Sequence, residues 1–301
     1  MVNPIHEWWE RGKLLGSGGF GMVSEARPLP GTPLFDHLPQ LMAVKSSRNG
    51  ESLRIEKQML SKFKGHPNIL RYYGTDITNE KTEKGINVPL YNIFLEYASG
   101  GCLADEIAKT RGLGLLEEDV KHYLKGILLG LEKIHKSGVI HCDIKPENIL
   151  IADDRVPKIA DFGLAMKGAG VNSKRPGTPE FMAPEIIRHG VYTTAADIWS
   201  LGCTVLQMIN GRNVWGIPFK SKYISLVGGY NVIPEIPSGL ISLDGKDFLN
   251  KCFVRDPLRR WTAKSLLNHP FLAQQKENTN FELDRNNPTN DLSSLVRELK
   301  F

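Results

Sequence analysis

The sequence predicts an α+β fold in which strands come first and helices follow. Two apolar runs of strand length, 41–45 and 91–97, lie in the first third of the chain. Beyond them, apolar residues recur at helical spacing over 117–135, and 197–209 is apolar nearly all round. The length of 301 residues suffices for one large domain or for two lobes that share a cleft.

Apolar spacing, glycines and prolines indicate the remaining helices and loops. A helix with one apolar face is predicted over 52–63, and glycines end the two long helices. The proline-rich segment 28–40 and the polar segment 78–89 are predicted to be surface insertions. After Phe271 the composition becomes polar and rich in asparagine, which indicates a tail.

Composition and charge exclude several classes of protein. The chain is 41% apolar and 24% charged, with no run of 18 apolar residues and no signal-peptide pattern, so we expect neither a membrane partner nor secretion. The net charge of +5 comes from scattered residues and does not predict nucleic-acid binding. The cysteines lack CxxC spacing, which indicates free thiols in the cytoplasm or the nucleus.

A glycine-rich segment near the N-terminus can approach phosphate groups. Its residues are Gly16, Ser17, Gly18, Gly19, Phe20 and Gly21. Backbone N–H groups in such a turn can bind phosphate oxygens, although the same spacing also opens dinucleotide-binding folds, where a helix follows. Here Val-Ser-Glu-Ala-Arg follows, which is typical of a strand, so we expect a flap between two strands.

Lys45 ends the strand Ala43-Val44-Lys45 and needs an anion. A lysine at the end of a buried strand is costly unless a negative charge meets it. ATP phosphates and a glutamate of the next helix are the two candidates. Glu56 is the predicted glutamate, and Glu51 is the alternative, although its place at the helix start favours a capping role.

The groups that phosphoryl transfer needs stand together in His141-Cys142-Asp143-Ile144-Lys145-Pro146-Glu147-Asn148 and Asp161-Phe162-Gly163. Asp161 and Asn148 offer hard oxygen ligands suited to Mg²⁺. Asp143 can accept the proton of the attacking hydroxyl, and Lys145 can reach the γ-phosphate of ATP. Loop turns explain any one of these residues but not all four behind a glycine flap and a strand lysine.

The order of these motifs, which ends in Ala183-Pro184-Glu185, resembles the eukaryotic protein kinase family over about residues 12–271. The resemblance implies a two-lobed kinase fold that uses ATP and Mg²⁺ and phosphorylates a protein hydroxyl. The implied parts are an N-terminal extension (1–11), a β-rich N-lobe (about 12–96), a hinge (96–99), a helical C-lobe (100–271) and a tail (272–301).

The resemblance also assigns residues to roles. Leu95 would guard the back pocket, Glu96 and Ala98 would offer backbone groups to adenine, and Arg260 would pair with Glu185. The implied nucleotide-binding residues are Leu15, Gly16, Ser17, Gly18, Gly19, Phe20, Gly21, Val23, Ala43, Lys45, Leu95, Glu96, Ala98, Cys102 and Leu150. The implied catalytic residues are Asp143, Lys145, Lys45 and Glu56, and the implied metal ligands are Asn148 and Asp161.

The acceptor class follows from two positions of this resemblance. Lys145 and the segment Gly177-Thr178-Pro179 resemble Ser/Thr kinases rather than tyrosine kinases. The opening Trp9-Glu10-Arg11-Gly12 and the strings 141–145, 177–185 and 197–205 are similar to plant MAP kinase kinase kinases, which implies a MAP kinase kinase as the protein substrate. Alternatives are another Ser/Thr subfamily, a pseudokinase scaffold and a small-molecule phosphotransferase. No oligomeric state is indicated.

One departure from the family pattern bears on regulation. Cys142 stands where the family usually has an arginine that holds an activation-loop phosphate. Between Asp161 and Gly177 only Ser173 carries a hydroxyl, so we expect substantial activity without phosphorylation. Thr178 is expected to link Asp143 and Lys145 internally, with a phosphosite as the alternative.

Two further expectations concern Cys102 and the tail. Cys102 is predicted at the lip of the ATP site and at the N-terminus of a helix, where the dipole would lower its thiol pKa while Asp105 and Glu106 oppose this. An inert thiol is the alternative. Asp291 with Leu292, Leu295, Val296 and Leu299 predicts a short amphipathic helix that packs on the C-lobe, docks a partner or stays disordered.

Overall fold

The computed structural model describes residues 8–18, 21–32, 35–81, 85–215, 227–228, 232–237 and 239–273. Strands dominate up to Glu96 (the N-lobe) and helices dominate afterwards (the C-lobe), as the sequence predicted. Gly19 and Phe20 of the predicted flap, and the predicted tail helix, lie outside the described residues.

An antiparallel sheet with the strand order β1-β2-β3-β5-β4 forms the N-lobe within the described chain. Its strands are β1 (Trp9–Gly18), β2 (Gly21–Pro28), β3 (Met42–Ser47), β4 (Tyr72–Lys81) and β5 (Asn87–Glu96). Gly18 pairs with Gly21, so the glycine-rich segment joins two strands as predicted. Gly21 has a φ of +128°, and a Cβ there would lie 2.1 Å from the carbonyl oxygen of Ser46, which explains the glycine.

One helix packs against this sheet and carries the predicted partner of Lys45. Helix α1 spans Gly50–Leu60 and continues as a 3-10 turn over Ser61–Phe63. Asn49 caps it, and its side chain accepts a hydrogen bond from the N–H of Glu51. The face made by Leu53, Glu56, Met59 and Leu60 is buried, so a single acidic side chain enters an otherwise apolar interface.

The segment 78–89 is largely exposed, as predicted, but it is a strand hairpin and not an insertion between elements. Strands β4 and β5 continue through most of it, with Thr78 opposite Leu90 and Glu80 opposite Val88. Cross-strand backbone hydrogen bonds do not depend on side-chain polarity, and one face of this hairpin is buried through Thr78 and Leu90. The segment 28–40 fits its prediction better, because β2 ends at Pro28 and β3 begins at Met42.

The C-lobe is built around two long helices. The helices are α2 (Leu103–Lys109), α3 (Glu117–Lys136), α4 (Pro184–His189), α5 (Thr194–Asn210), α6 (Leu243–Cys252) and α7 (Ala263–Leu267). Helix α3 buries one apolar face, whereas α5 is buried nearly all round. Gly138 and Gly211 follow α3 and α5 in the left-handed region, as expected at helix ends.

Short strand pairs place the loops of the site at the mouth of the cleft between the lobes. The strands are β6 (Val139–Ile140), β7 (Ile149–Ile151), β8 (Pro157–Ile159), β9 (Met166–Lys167), β10 (Gly170–Val171) and β11 (Val191–Tyr192). They pair as β6 with β9, β7 with β8 and β10 with β11. Within the described residues, none of the helices combines the length and apolar character that crossing a bilayer requires.

Candidate active site

A cleft of about 450 Å³ separates the sheet from the helical lobe. Its size suits a nucleotide. Most of the predicted nucleotide-binding residues that the structure describes line it: Leu15, Gly16, Val23, Ala43, Lys45, Leu95, Glu96, Ala98, Cys102 and Leu150. Ser17, Gly18 and Gly21 belong to the flap strands and do not line this cavity.

The segment predicted as the hinge presents its backbone to the cleft. The Glu96 side chain turns away, because its carboxylate lies 3.1 Å from Lys158 Nζ and accepts a hydrogen bond from the N–H of Arg71. After Ala98, Gly100 N–H donates to the Ile151 carbonyl at 2.9 Å and anchors the chain on β7. The Glu96 N–H already donates to the Arg71 carbonyl at 2.9 Å, which leaves the Glu96 carbonyl and the backbone of Ala98 as the candidate partners of an adenine base.

Lys45 makes two short ion pairs at the back of the cleft. Its Nζ lies 2.8 Å from Glu56 Oε2 and 2.8 Å from Asp161 Oδ1, so the structure selects Glu56 over Glu51. Burial opposes the charge on Lys45, yet the contacts with Glu56 and Asp161 raise its pKa above the ordinary value. Lys45 is thus a fixed cation between helix α1 and the metal-ligand candidate Asp161.

The Asp143 carboxylate is held from three sides. Its Oδ1 accepts a hydrogen bond from Thr178 N–H at 2.8 Å, and its Oδ2 accepts one from Asn148 Nδ2 at 2.9 Å and lies 3.0 Å from Lys145 Nζ. Lys145 Nζ also donates to Thr178 Oγ1 at 2.6 Å. Thr178 therefore links Asp143 and Lys145 as expected, although its hydroxyl contacts only Lys145 and its backbone N–H contacts Asp143. These contacts fix the carboxylate orientation, which a general base requires.

The donor set at the mouth of the cleft fits a hard cation that also binds phosphate. Burial opposes the charge on Asp161, but Lys45 reverses this and holds the pKa of the carboxyl below its usual range, so Asp161 is an anion. Asn148 Nδ2 donates to Asp143, so the amide Oδ1 is the atom of Asn148 that would bind a metal. Among the described residues, no three His, Cys, Asp or Glu side chains cluster around one metal position. Mg²⁺ commonly completes its shell with phosphate and water, so a carboxylate and an amide suffice.

Phe162 keeps Asp161 turned toward the cleft. Its ring is fully buried, with centroids 5.6 Å from Phe63 and 4.8 Å from His141. The phenylalanine thereby fills the space beneath α1 and leaves the neighbouring aspartate beside Lys45. Asp161 itself has a φ of +58°, an uncommon backbone conformation that such packing must support.

Comparison with known proteins agrees with this geometry. A family model described as a protein kinase domain matches residues 9–272. The chain belongs to the protein kinase family. It is 42% identical to mitogen-activated protein kinase kinase kinase 20 of Arabidopsis thaliana, over 91% of this chain and 81% of that protein. Mitogen-activated protein kinase kinase kinase 18 of the same plant is 39% identical, over 93% of this chain and 82% of that protein.

A human relative shows how far this similarity extends. Mitogen-activated protein kinase kinase kinase 4 of Homo sapiens is 34% identical over 88% of this chain but only 16% of its own length. These relatives support a Ser/Thr protein kinase that resembles the MAP kinase kinase kinases, which confirms the prediction from the sequence motifs. The family uses ATP and a divalent metal and acts on proteins.

Asp197 contacts the backbone that precedes Asp143, although the sequence analysis did not assign it to the site. It lies on α5, is almost fully buried, and accepts a hydrogen bond from the backbone N–H of His141 at 2.9 Å. His135 Nε2 lies 2.8 Å from the same Oδ2 atom. A lone acid in an otherwise apolar helix was the available signal, because a buried carboxylate requires partners.

The activation segment of the kinase, residues 161–185, is held mainly by contacts with backbone groups. Strand β10 pairs with β11, and Asn172 N–H donates to the Gly190 carbonyl at 2.9 Å. Arg175 Nε donates to the Ile186 carbonyl at 3.2 Å, and Tyr192 OH donates to the Pro176 carbonyl at 2.5 Å. These contacts hold the segment against β11 and α4, and Arg175 is engaged with a carbonyl.

The expected structural ion pair also forms. Arg260 Nη1 and Nη2 lie 2.7 and 3.0 Å from the two carboxylate oxygens of Glu185, and the Arg260 side chain is fully buried. Arg260 also donates to the carbonyls of Val254 and Ala195. A bidentate pair with these extra contacts joins the end of the activation segment to the C-lobe.

The expected lowering of the Cys102 thiol pKa is wrong. Cys102 does precede α2 and line the cleft, and it is less buried than Cys142, Cys203 and Cys252. Burial and the Asp105 carboxylate, whose Oδ2 lies 3.1 Å from Sγ, raise its pKa to about 11. Burial and the adjacent anion together outweigh a short helix's dipole in setting the thiol pKa, so an unreactive thiol is the better description.

Proposed function

We propose that this kinase transfers the γ-phosphate of Mg-ATP to serine or threonine hydroxyls of a MAP kinase kinase. Two connected sets of contacts support this proposal most strongly. The first joins the Lys45–Glu56 pair to Asp161. The second joins Asp143 to Lys145, Thr178 and Asn148. Phosphoryl transfer depends mostly on positioning and charge, which is what these contacts provide. The substrate class rests on the names of the relatives.

Each of these side chains has a definite role in the proposed phosphoryl transfer. The acceptor hydroxyl hydrogen-bonds to the Asp143 carboxylate, its oxygen attacks the γ-phosphorus, the bond to ADP breaks, and the hydroxyl proton passes to Asp143. Lys145 lies beside that carboxylate and offsets charge on the phosphoryl oxygens, while Lys45 orients the other phosphates. Mg²⁺, held by Asp161 and Asn148, would supply further positive charge to the phosphate oxygens.

Thr178 supports the Ser/Thr acceptor class. Its hydroxyl accepts from Lys145 and its N–H donates to Asp143, so it sets the distance between the activation segment and the base. The preceding Gly177 has a φ of +120°, and a Cβ there would lie 2.7 Å from the Cys142 carbonyl oxygen. The chain can therefore approach the catalytic loop, residues 141–148, closely at this point.

The deciding experiment supplies the purified chain with Mg-ATP and catalytically inactive MAP kinase kinases, and maps phosphosites by mass spectrometry. A generic basic protein serves as a second acceptor, and Asp143→Asn is the matched control. We expect phosphoserine or phosphothreonine on a MAP kinase kinase, a kcat about 100- to 10,000-fold lower for Asp143→Asn, and nearly unchanged ATP binding.

Each other outcome contradicts a separate part of the proposal. Activity on the basic protein without activity on any MAP kinase kinase would reject the substrate class and retain the kinase. Absence of ATP turnover would favour the scaffold alternative. An Asp143→Asn protein that keeps more than a few per cent of wild-type activity would reject Asp143 as the base.

A cytoplasmic or nuclear location is part of the proposal, supported by four free cysteines.

A further inference from the structure

The N-lobe sheet curls over a small core of its own, apart from the cleft. The ring centroid of Trp9 on β1 lies 4.9 Å from that of Phe94 on β5, and Trp9 Nε1 donates to Asp76 Oδ2 on β4 at 2.8 Å. Strands β1 and β4 are the two edges of this sheet, so these contacts bring its edges together. Successive side chains of β3 point to opposite sides, so Val44 enters the small core whereas Lys45 faces the cleft.

One end of this small core is polar, and an arginine supplies its positive charge. Arg11 Nη2 donates to Ser46 Oγ at 3.0 Å and to Asn92 Oδ1 at 3.1 Å. Ser46 Oγ donates to Asn92 Oδ1 at 2.6 Å, and Asn92 Nδ2 donates to Thr78 Oγ1 at 3.0 Å. Ser46, Asn92 and Thr78 are all buried. Side chains from β1, β3, β5 and β4 therefore form one hydrogen-bonded set, which we call the Arg11 network.

The Arg11 network holds β3 at the residue that follows Lys45. Ser46 lies opposite Asn92 in the pairing of β3 with β5, and β3 ends at the next residue. Helix α1, which carries Glu56, begins shortly afterwards at Gly50. The network therefore fixes the chain between the two members of the Lys45–Glu56 ion pair, where the backbone ladder of β3 comes to its end.

Arg11 also lies at the base of the glycine-rich flap. The register of β1 against β2 shifts between Arg11 and Leu14. Trp9 is fully buried in the small core, whereas Leu14 is 56% exposed, so β1 leaves this core directly after Arg11. The flap that can bind phosphate oxygens begins soon afterwards, at Gly16. Arg11 thus connects the flap with Lys45, the two elements assigned to the phosphates of ATP.

We propose that Arg11 is a positioning residue that aligns Lys45 and the glycine-rich flap with the phosphates of ATP. Charge-assisted hydrogen bonds to buried groups are among the stronger side-chain contacts, so the Arg11 network resists movement of β3. The residues described around the cleft do not include Arg11, which therefore acts through Ser46 and not by contact with the nucleotide. This inference rests on the proposed role of Lys45, which Lys45→Met tests separately.

Calorimetric titration of full-length variants with Mg-ATP and with adenosine tests the proposal. Adenosine has no phosphates, so a loss of phosphate positioning weakens the binding of ATP alone. We expect Arg11→Met to raise the Kd for Mg-ATP about fivefold or more and to leave the Kd for adenosine within about twofold of wild type. Arg27→Met is the matched control and should change neither Kd, because Arg27 lies exposed on β2 and pairs with Glu25.

A double-mutant cycle with Ser46→Ala tests the route through β3. Ser46→Ala removes only a hydroxyl and should raise the Kd for Mg-ATP about threefold, again without an effect on adenosine. The double variant should bind Mg-ATP about as weakly as Arg11→Met alone, because both changes break the same network. Multiplied effects in the double variant would overturn the proposal. If Arg11→Met fails to fold, Ser46→Ala decides alone, and an unchanged Kd for Mg-ATP would reject the proposal.

Lys45→Met separates a failure of this inference from a failure of the proposed function. It should weaken the binding of Mg-ATP and leave that of adenosine unchanged. If Lys45→Met behaves so but Arg11→Met weakens both ligands equally or neither, the role of Arg11 is structural only and the inference is rejected. If Lys45→Met leaves the binding of Mg-ATP unchanged, the proposed role of Lys45 is wrong and this inference falls with it.

Discussion

The carboxylate of Asp197 accepts a hydrogen bond from the backbone N–H of Cys142, with 3.0 Å between Oδ1 and N. Cys142 has a φ of +70°, in the left-handed region that non-glycine residues rarely adopt. Asp143 follows directly. A buried anion on α5 therefore supports the uncommon backbone conformation that aims the proposed catalytic base into the cleft.

Asp197→Asn should impair the kinase although Asp197 lies outside the cleft. The amide keeps one acceptor oxygen but turns an NH₂ group toward a backbone N–H, and an unsatisfied buried donor costs about 1–3 kcal/mol. We expect kcat to fall at least about tenfold and Tm to drop by a few degrees. Asp256→Asn, at an exposed turn of the C-lobe, is the control for loss of an aspartate. A kcat within twofold of wild type would show that Asp197 does not position the base.

Glu56→Gln should reduce catalysis far more than Glu51→Gln. The first substitution removes the charge that pairs with the buried Lys45 from α1, so the position of Lys45 between the lobes weakens. We expect kcat/KM for ATP to fall by about tenfold or more. Glu51 lies exposed in the first turn of α1, where an acid contributes about 0.3–1 kcal/mol to the helix and nothing to Lys45. Equal effects of the two variants would contradict the assignment of Glu56.

The kinase should keep most of its activity after phosphatase treatment. The activation segment is already held by the β10–β11 pair and by Arg175, and Cys142 offers no cation to a phosphate. We therefore expect dephosphorylated protein and Ser173→Ala to retain kcat within about threefold. The measurement is an initial-rate assay with phosphorylation checked by mass spectrometry. Inert dephosphorylated protein, restored more than about tenfold by a Ser173 phosphate, would show that a cation such as exposed Lys174 clamps it.

Cys102 should alkylate slowly at neutral pH. Its pKa of about 11 lies above the reference of 9.0, and a raised thiol pKa means less thiolate at any lower pH. We expect the iodoacetamide rate to rise up to about pH 11, and Asp105→Asn to accelerate it at pH 8 by removing the adjacent anion. Bound ATP should protect the thiol, because Cys102 lines the cleft. Labelling at pH 8 as fast as in an unstructured peptide would contradict the raised pKa.

The sequence by itself determined the chemistry of the site and the order of its parts. Asp143, Lys145 and Asn148 lie within one short loop, so their proximity follows from the chain and needs no knowledge of packing. Glycines after α3 and α5 indicated the ends of both long helices. These features are local, because adjacent residues restrict one another through backbone geometry.

Only the tertiary structure decided which distant residues meet. The choice of Glu56 over Glu51, the bond from Asp197 to the catalytic loop and the direction of the Cys102 pKa each depend on burial and on neighbours brought together by folding. The hairpin at 78–89 was missed for the same reason, since strand pairing satisfies backbone groups whatever the side-chain polarity. Burial and partner geometry are properties of the packed lobes, so residue spacing along the chain does not encode them directly.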